Sequence, residues 1–333
     1  MVDDRSRFSL WVDFIERDFI KSGLVDMVKR EVIDGATSNP SIFSNAILTS
    51  PAYKEQLSTL DGLSPKEKYE ALAIEDIKNA ADVLRVFYDK ALEGYVSIEV
   101  DPHLSNDAKG TIEEGVRLYK AIDRENVMIK VPATEAGYEA MRELMSQGIN
   151  VNATLVFSPQ QAQKTIEAMR AGISKFEHSG GGRVEGVISV FVSRFDRMID
   201  SKLEGTKVSK AKCGIMNAAK IYNLIAAYNE PAVKILFAST GVKAGQDLPR
   251  DYYIKNLYAK NSINTAPIDA IETYEKNPNN KCLALPIENR YIDDFFESLK
   301  EAGIDIEEVY SVLMADGLKA FEEAFDKMLD SLK

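Results

Sequence analysis

"NVMIKVPATEAG", residues 126–137, sets a charged side chain inside a run built for burial. Val127, Met128, Ile129 and Val131 surround Lys130, and Pro132 closes the run before a helix-like stretch. A short apolar run of this kind reads as a buried strand. Burying an ammonium is costly unless it is paired or neutral. Which sheet the run belongs to, and what the amine does there, have to be read from the rest of the chain.

Short apolar runs alternate with longer helical patterns on both sides of it. The candidate strands are Ser9–Phe14, Asp34–Asn39, Tyr95–Val100, Val127–Val131, Asn150–Phe157, Gly186–Ser193, Val233–Ser239 and Ser262–Ala266. Helix boundary signals lie between them. Ser105 is placed to cap a helix running through Tyr119, and Thr134 one that ends before Gly148. Ser158 with Pro159 is a cap followed by a first-turn proline. Leu318, Phe321, Phe325 and Met328 mark one apolar helical face near the C-terminus. Eight strands alternating with helices predict a parallel sheet, and at 333 residues the count favours a single α/β (β/α)8 TIM barrel. No low-complexity linker divides residues 1–333. One domain is expected, with a helical insertion over about 44–93 and C-terminal docking helices over about 287–333.

Composition narrows the function. A chain that is 45% hydrophobic and 28% charged can bury a large core, and its formal net charge of −11 opposes binding to nucleic acid or an anionic membrane surface. Apolar runs stay well short of a membrane span, and "MVDDRSRFSL" lacks the apolar segment of a secretory signal. Cys213 and Cys282 cannot make a disulfide framework, although the fold could bring the two together to pair, and they read as reduced packing residues. A cytoplasmic protein is expected. Its oligomeric state, monomer or homodimer, is not legible.

Successive side chains of a strand point to opposite faces, so parity sorts lumen from exterior. Glu99 shares a face with Ser97, and Lys130 with Met128. Asn150, Asn152 and Thr154 align against Val151, Ala153 and Leu155. Asp13 aligns with Trp11, Thr37 with Asn39, and Ser189 with Phe191. The helix-facing side of a barrel strand must be apolar, so these polar residues predict a pocket at the C-terminal mouth, where barrel enzymes carry their chemistry.

A lysine amine in such a pocket can attack a ketone and form a Schiff base, provided it is unprotonated. With an ordinary pKa near 10.4, roughly one in a few thousand is neutral at pH 7. Burial favours the neutral form, while Asp13 or Glu99, if ionised, would oppose it. The resulting imine lets a neighbouring carbon–carbon bond break. Asp13 can serve as the base, Glu99 can shuttle protons through a water, and Asn39, Asn152 and Thr154 can bind hydroxyls and that water. Arg194 and the run "FASTGVK", with Ser239, Thr240 and Lys243, form a candidate phosphate cradle.

Taken together, "DGATSNPSIF" (34–43), "SIEVDP" (97–102), "NVMIKVPAT" (126–134), "NVNATLVFS" (150–158), "ISVFVSR" (188–194) and "ASTGVK" (238–243) resemble the transaldolase family, most closely its bacterial members, over essentially the whole chain. The resemblance implies a cofactor-free enzyme of the pentose phosphate shunt. Such an enzyme moves a dihydroxyacetone unit from sedoheptulose 7-phosphate to glyceraldehyde 3-phosphate, giving fructose 6-phosphate and erythrose 4-phosphate. The family's Schiff-base lysine falls on Lys130, its acid/base aspartate on Asp13 and its water-binding glutamate on Glu99. Its substrate-binding side chains fall on Asn39, Asn152, Thr154, Ser189 and Phe191, and its phosphate arginine on Arg194. Two positions depart. Lys243 stands where the classical members carry a second phosphate arginine, and Ser193 where many members have glycine before the arginine.

Other readings stay open at this level. The same lysine would serve an aldolase that releases free dihydroxyacetone or its phosphate, and a catalytically silent barrel could bind sugar phosphates. "SGGGR" (179–183) precedes a strand, so it belongs at the opposite end from the pocket. His103 and His178 are isolated, no zinc-ligand spacing is present, and no metal is expected. "KNPNNK" (276–281) reads as a solvated turn.

Overall fold

The computed structural model describes residues 7–243, 245–276 and 282–333, so most of "KNPNNK" lies outside the described residues. Eight strands run in order around a closed barrel: β1 Phe8–Val12, β2 Gly35–Thr37, β3 Val96–Glu99, β4 Val127–Pro132, β5 Asn150–Val156, β6 Gly186–Phe191, β7 Val233–Ala238 and β8 Ser262–Ala266. Each pairs in parallel with the next, and β8 closes on β1 through Trp11 opposite Thr265. The predicted (β/α)8 barrel is therefore the observed fold. Among the described residues no helix is long and apolar enough to cross a membrane.

Alternation holds as the parity reading requires. Val127, Ile129, Val151, Ile188 and Ile235 pack with the surrounding helices, whereas Trp11, Tyr95, Met128, Val187, Leu236 and Ile263 fill the lumen. These lumen residues are at most 2% exposed. Each buried side chain of this size stabilises the fold by about 1.5–3 kcal/mol. They plug the N-terminal part of the barrel and leave its C-terminal mouth to polar groups.

Helices Pro40–Thr49, Lys54–Leu57 and Pro65–Tyr88 lie between β2 and β3. The last carries a capping box from Ser64 and Glu67 and is tied to the short helix Arg17–Phe19 after β1 by a buried ion pair, Arg17 Nε donating to Asp76 Oδ1 at 2.8 Å. Tyr53 donates its hydroxyl to the other oxygen of Asp76. Thr134 and Ser158 cap Glu135–Ser146 and Pro159–His178 as expected. At the C-terminus, Ile306–Ser331 crosses the mouth side, burying Phe321, Phe325 and Met328. Gly317 lets this helix come close: a Cβ there would stand 2.9 Å from Leu155 Cδ2 and 3.3 Å from Arg194 Nη1.

Four expectations need correction. Asp107, not Ser105, caps the helix Ala108–Ile122, its carboxylate accepting from the Gly110 N–H. Strands β1 and β2 end before Asp13 and Asn39, which stand in the loops beyond them. Cys282 is exposed rather than packed, and both cysteines are free. Leu155 leaves the face it was assigned to with Val151 and Ala153. The β5–β6 register shifts between Ala153 and Val156, Leu155 has φ +55°, and its side chain joins Phe157 and Phe191. One extra residue in β5 is a bulge, and a bulge re-aims the side chains beyond it.

Gly35 shows how tightly the lumen is filled. It pairs with Trp11 across β1 and β2, and a Cβ there would meet the indole at 2.4 Å. Gly35→Ala should cost about 1–3 kcal/mol through overpacking, measured as the fall in unfolding free energy in urea.

Candidate active site

Register places the central residues before any side-chain detail is needed. Glu99 of β3 is opposite Lys130 of β4, and Lys130 is opposite Asn152 of β5. Neighbouring strands are about 4.8 Å apart, so the three side chains stand abreast in one lumen layer. Lys130 is 5% exposed, and its Nζ donates a hydrogen bond to Ser38 O at 3.0 Å. Glu99 Oε2 lies 3.7 Å from that nitrogen, close enough for charge attraction and too far for a hydrogen bond. The amine is thus held in place without being locked to a carboxylate.

Burial pushes the Glu99 carboxyl up to about 7, against the pull of Lys130, and the charge of Asp13 adds to the rise. Glu99 Oε2 and Thr154 Oγ1 are both buried with no hydrogen-bond partner among the described residues. Such atoms are unusual in a folded interior, where most buried polar groups are satisfied. On the other side of the lumen, Asp13 Oδ1 accepts from Thr37 Oγ1 at 2.8 Å. Desolvation holds this carboxyl above its ordinary value, opposed by Lys130, the Thr37 hydrogen bond and Lys243.

Asn152 donates to Ser97 Oγ at 3.0 Å and accepts from Ser189 Oγ at 2.7 Å, so β3, β5 and β6 share one polar network. Asn39 does two things. Its Oδ1 accepts from the Ile42 N–H and caps the helix Pro40–Thr49, while the side chain also lines the mouth. A cavity of about 380 Å³ opens there. It gathers Asp13, Asn39, Lys130, Ser189, Phe191, Arg194, Ser239 and Lys243 of the predicted residues. Glu99, Asn152 and Thr154 stand fully buried in the barrel, outside the cavity lining.

At the far rim the guanidinium of Arg194 lies 5.0 Å above the Phe191 ring. Burial and the nearby Arg197 pull Arg194 below its ordinary pKa, with Asp316 acting the other way. Ser193 is fully buried, its hydroxyl 3.1 Å from that of Ser239 and its N–H donating to Ser239 O. Ser239 itself has φ +54°. Thr240 is committed elsewhere, donating to Thr265 O at 2.6 Å at the end of β8. Lys243 is exposed on the same rim.

The sequence reading missed Thr265 and Phe321, both of which line the cavity. Parity could have found Thr265, which shares a face of β8 with the lumen residue Ile263. No sequence signal marks Phe321 as more than a core position of its helix.

An amine flanked by carboxylates at the C-terminal mouth of a closed (β/α)8 barrel is the layout of a barrel enzyme. The family model described as Transaldolase/Fructose-6-phosphate aldolase matches residues 10–332, and the chain belongs to that family. It is 45% identical over 332 residues to a transaldolase of Campylobacter jejuni subsp. jejuni serotype O:23/36, covering 98% of this chain and 99% of the relative. A transaldolase of Helicobacter pylori strain Shi470 is 44% identical over 325 residues, covering 97% and 99%.

The raised carboxyl has a thermodynamic consequence. Glu99 holds its proton in the folded chain at pH values where the unfolded chain has released it, so folding loses stability as pH rises from about 4.5 to 7. Relative to Glu99→Gln, the wild-type chain should lose up to about 3 kcal/mol between pH 5 and 8. Denaturant unfolding of both proteins across that range checks the slope.

Proposed function

We propose that the enzyme transfers a dihydroxyacetone unit between sugar phosphates through a Schiff base on Lys130. Sedoheptulose 7-phosphate is the donor and glyceraldehyde 3-phosphate the acceptor. The observation that carries the assignment is the Lys130 amine itself: buried, lining the cavity and, among the described residues, hydrogen-bonded to a backbone carbonyl alone. A charge placed for packing or stability alone would be expected to meet a carboxylate at hydrogen-bond distance.

The unprotonated Nζ attacks the donor ketone, and loss of water leaves a protonated imine. Asp13 then takes the proton from the hydroxyl on the carbon β to the imine carbon. The bond between the α and β carbons breaks, its electron pair flows to the imine nitrogen as an enamine forms, and the β carbon leaves as an aldehyde. Attack of the enamine on the acceptor aldehyde reverses these steps, with Asp13 returning its proton to the new hydroxyl. Hydrolysis frees the product and Lys130.

Imine formation and hydrolysis both need water handled and protons moved. Glu99, titrating near neutrality, suits that task, and its unpartnered Oε2 together with Thr154 Oγ1 can hold the water. Asn39, Asn152 and Ser189 are assigned to substrate hydroxyls, and Phe191 to the apolar wall beside them. Arg194, which lines the cavity rim, is assigned to the phosphate. Ser239 and Lys243 complete that cradle, Lys243 as a point charge rather than a bidentate clamp. We place the enzyme in the cytoplasm as a monomer or homodimer, two unpaired cysteines suiting a reducing compartment.

Borohydride reduction in the presence of fructose 6-phosphate should leave a stable adduct that peptide mapping places on Lys130. Lys130→Ala should abolish trapping while keeping the fold by circular dichroism; an adduct mapped to any other lysine removes the assignment. Asp13→Ala should still trap the imine but turn over about 10²–10⁴ times more slowly, measured as fructose 6-phosphate consumed with erythrose 4-phosphate as acceptor. Free dihydroxyacetone as the main product of the wild-type enzyme in that assay would identify an aldolase instead.

A further inference from the structure

We propose that Thr265 is a positioning residue for Asp13, acting through Thr37. The inference rests on the acid/base role assigned to Asp13 above. Thr265 Oγ1 lies 2.6 Å from Thr37 Oγ1, which lies 2.8 Å from Asp13 Oδ1. An ionised carboxylate can only accept, so Thr37 donates its single proton to Asp13. Its contact with Thr265 must then be one in which Thr37 accepts and Thr265 donates. The direction of the whole chain follows from the charge at its end.

The scaffold holds both ends of this chain. Thr240 Oγ1 donates to Thr265 O at 2.6 Å, and the Asp13 N–H donates to Ala266 O at 2.9 Å. Thr265 and Thr37 are 3% and 1% exposed, so water competes little for either hydroxyl. When Asp13 takes up a proton, both hydroxyls can rotate. Asp13 then donates to Thr37, and Thr37 donates to Thr265, with no heavy atom displaced. The pair keeps the carboxyl oriented in the two protonation states that an acid/base group must visit, and it favours the ionised one by donating to it.

The charged groups facing Asp13 are Lys130 from β4, Lys243 from the loop after β7 and Glu99 from β3. All are retained in Thr265 variants, so a change in titration reports the hydroxyl. The experiment measures the pH profile of kcat/KM for transfer from fructose 6-phosphate to erythrose 4-phosphate. Thr265→Ala should move the acidic limb to higher pH by about half to one pH unit. It should lower kcat about tenfold while changing KM less than about twofold, with borohydride trapping undiminished. Thr265→Ser, which keeps the hydroxyl, should restore the wild-type limb. If Thr265→Ala is too unstable to assay, Thr265→Val keeps the shape and must show the same movement. An acidic limb that stays in place without the hydroxyl, or one that serine fails to restore, overturns the proposal. Asp13→Ala, assayed in parallel, separates the two levels. A fast Asp13→Ala enzyme removes the underlying role, whereas a slow one beside an unmoved Thr265→Ala limb removes this inference alone.

Discussion

The parallel register that sets Glu99, Lys130 and Asn152 side by side is the constraint on which the site depends. Backbone hydrogen bonds between β3, β4 and β5 fix it, and each strand also buries an apolar face against helices. A one-residue slip of β4 would turn Lys130 into that apolar layer and point Val131 into the lumen, at the cost of an unpaired buried charge. Register is therefore strongly specified, and the position of the amine comes with it.

From that layer the rest of the site follows in two directions. Toward the N-terminal end the lumen is closed by Trp11, Tyr95 and Met128, with Gly35 leaving the indole its space. A dry plug below the amine lowers the local dielectric, and that same desolvation raises Glu99 and Asp13. Toward the mouth, the loops after β2 and β7 bring Asn39 and Lys243, the helix Ser193–Ile199 after β6 brings Arg194, and the helix Ile306–Ser331 adds Phe321. Lys130 and Glu99 lie on rigid strands, whereas Asn39, Arg194 and Lys243 lie beyond the strand ends. This division lets loop chemistry vary without disturbing the proposed covalent step.

Much of this was legible before any coordinates. Each of the eight strands was located, because a parallel barrel writes short apolar runs separated by helical periods. Polar residues on one parity of those runs marked the lumen. Asn39 shows the limit of such reading: as a cap and as a cavity residue it serves two purposes that sequence presents as rivals. Leu155 shows another. A leucine with positive φ has no local signal, because L-residues avoid that region unless surrounding contacts enforce it.

What sequence alone determined was the period-2 and period-3.6 patterning, hence the count of strands, the face taken by residues of regular strand and the family to which the motifs belong. Those properties are local, fixed by backbone geometry within a few residues. Only the tertiary structure decided which polar atoms meet: the Thr265–Thr37–Asp13 chain joins residues of β8, β2 and the loop after β1, and Ser193 finds Ser239 across β6 and β7. Closure of the barrel sets those distances, and closure is a property of all eight strands together, which no single segment encodes.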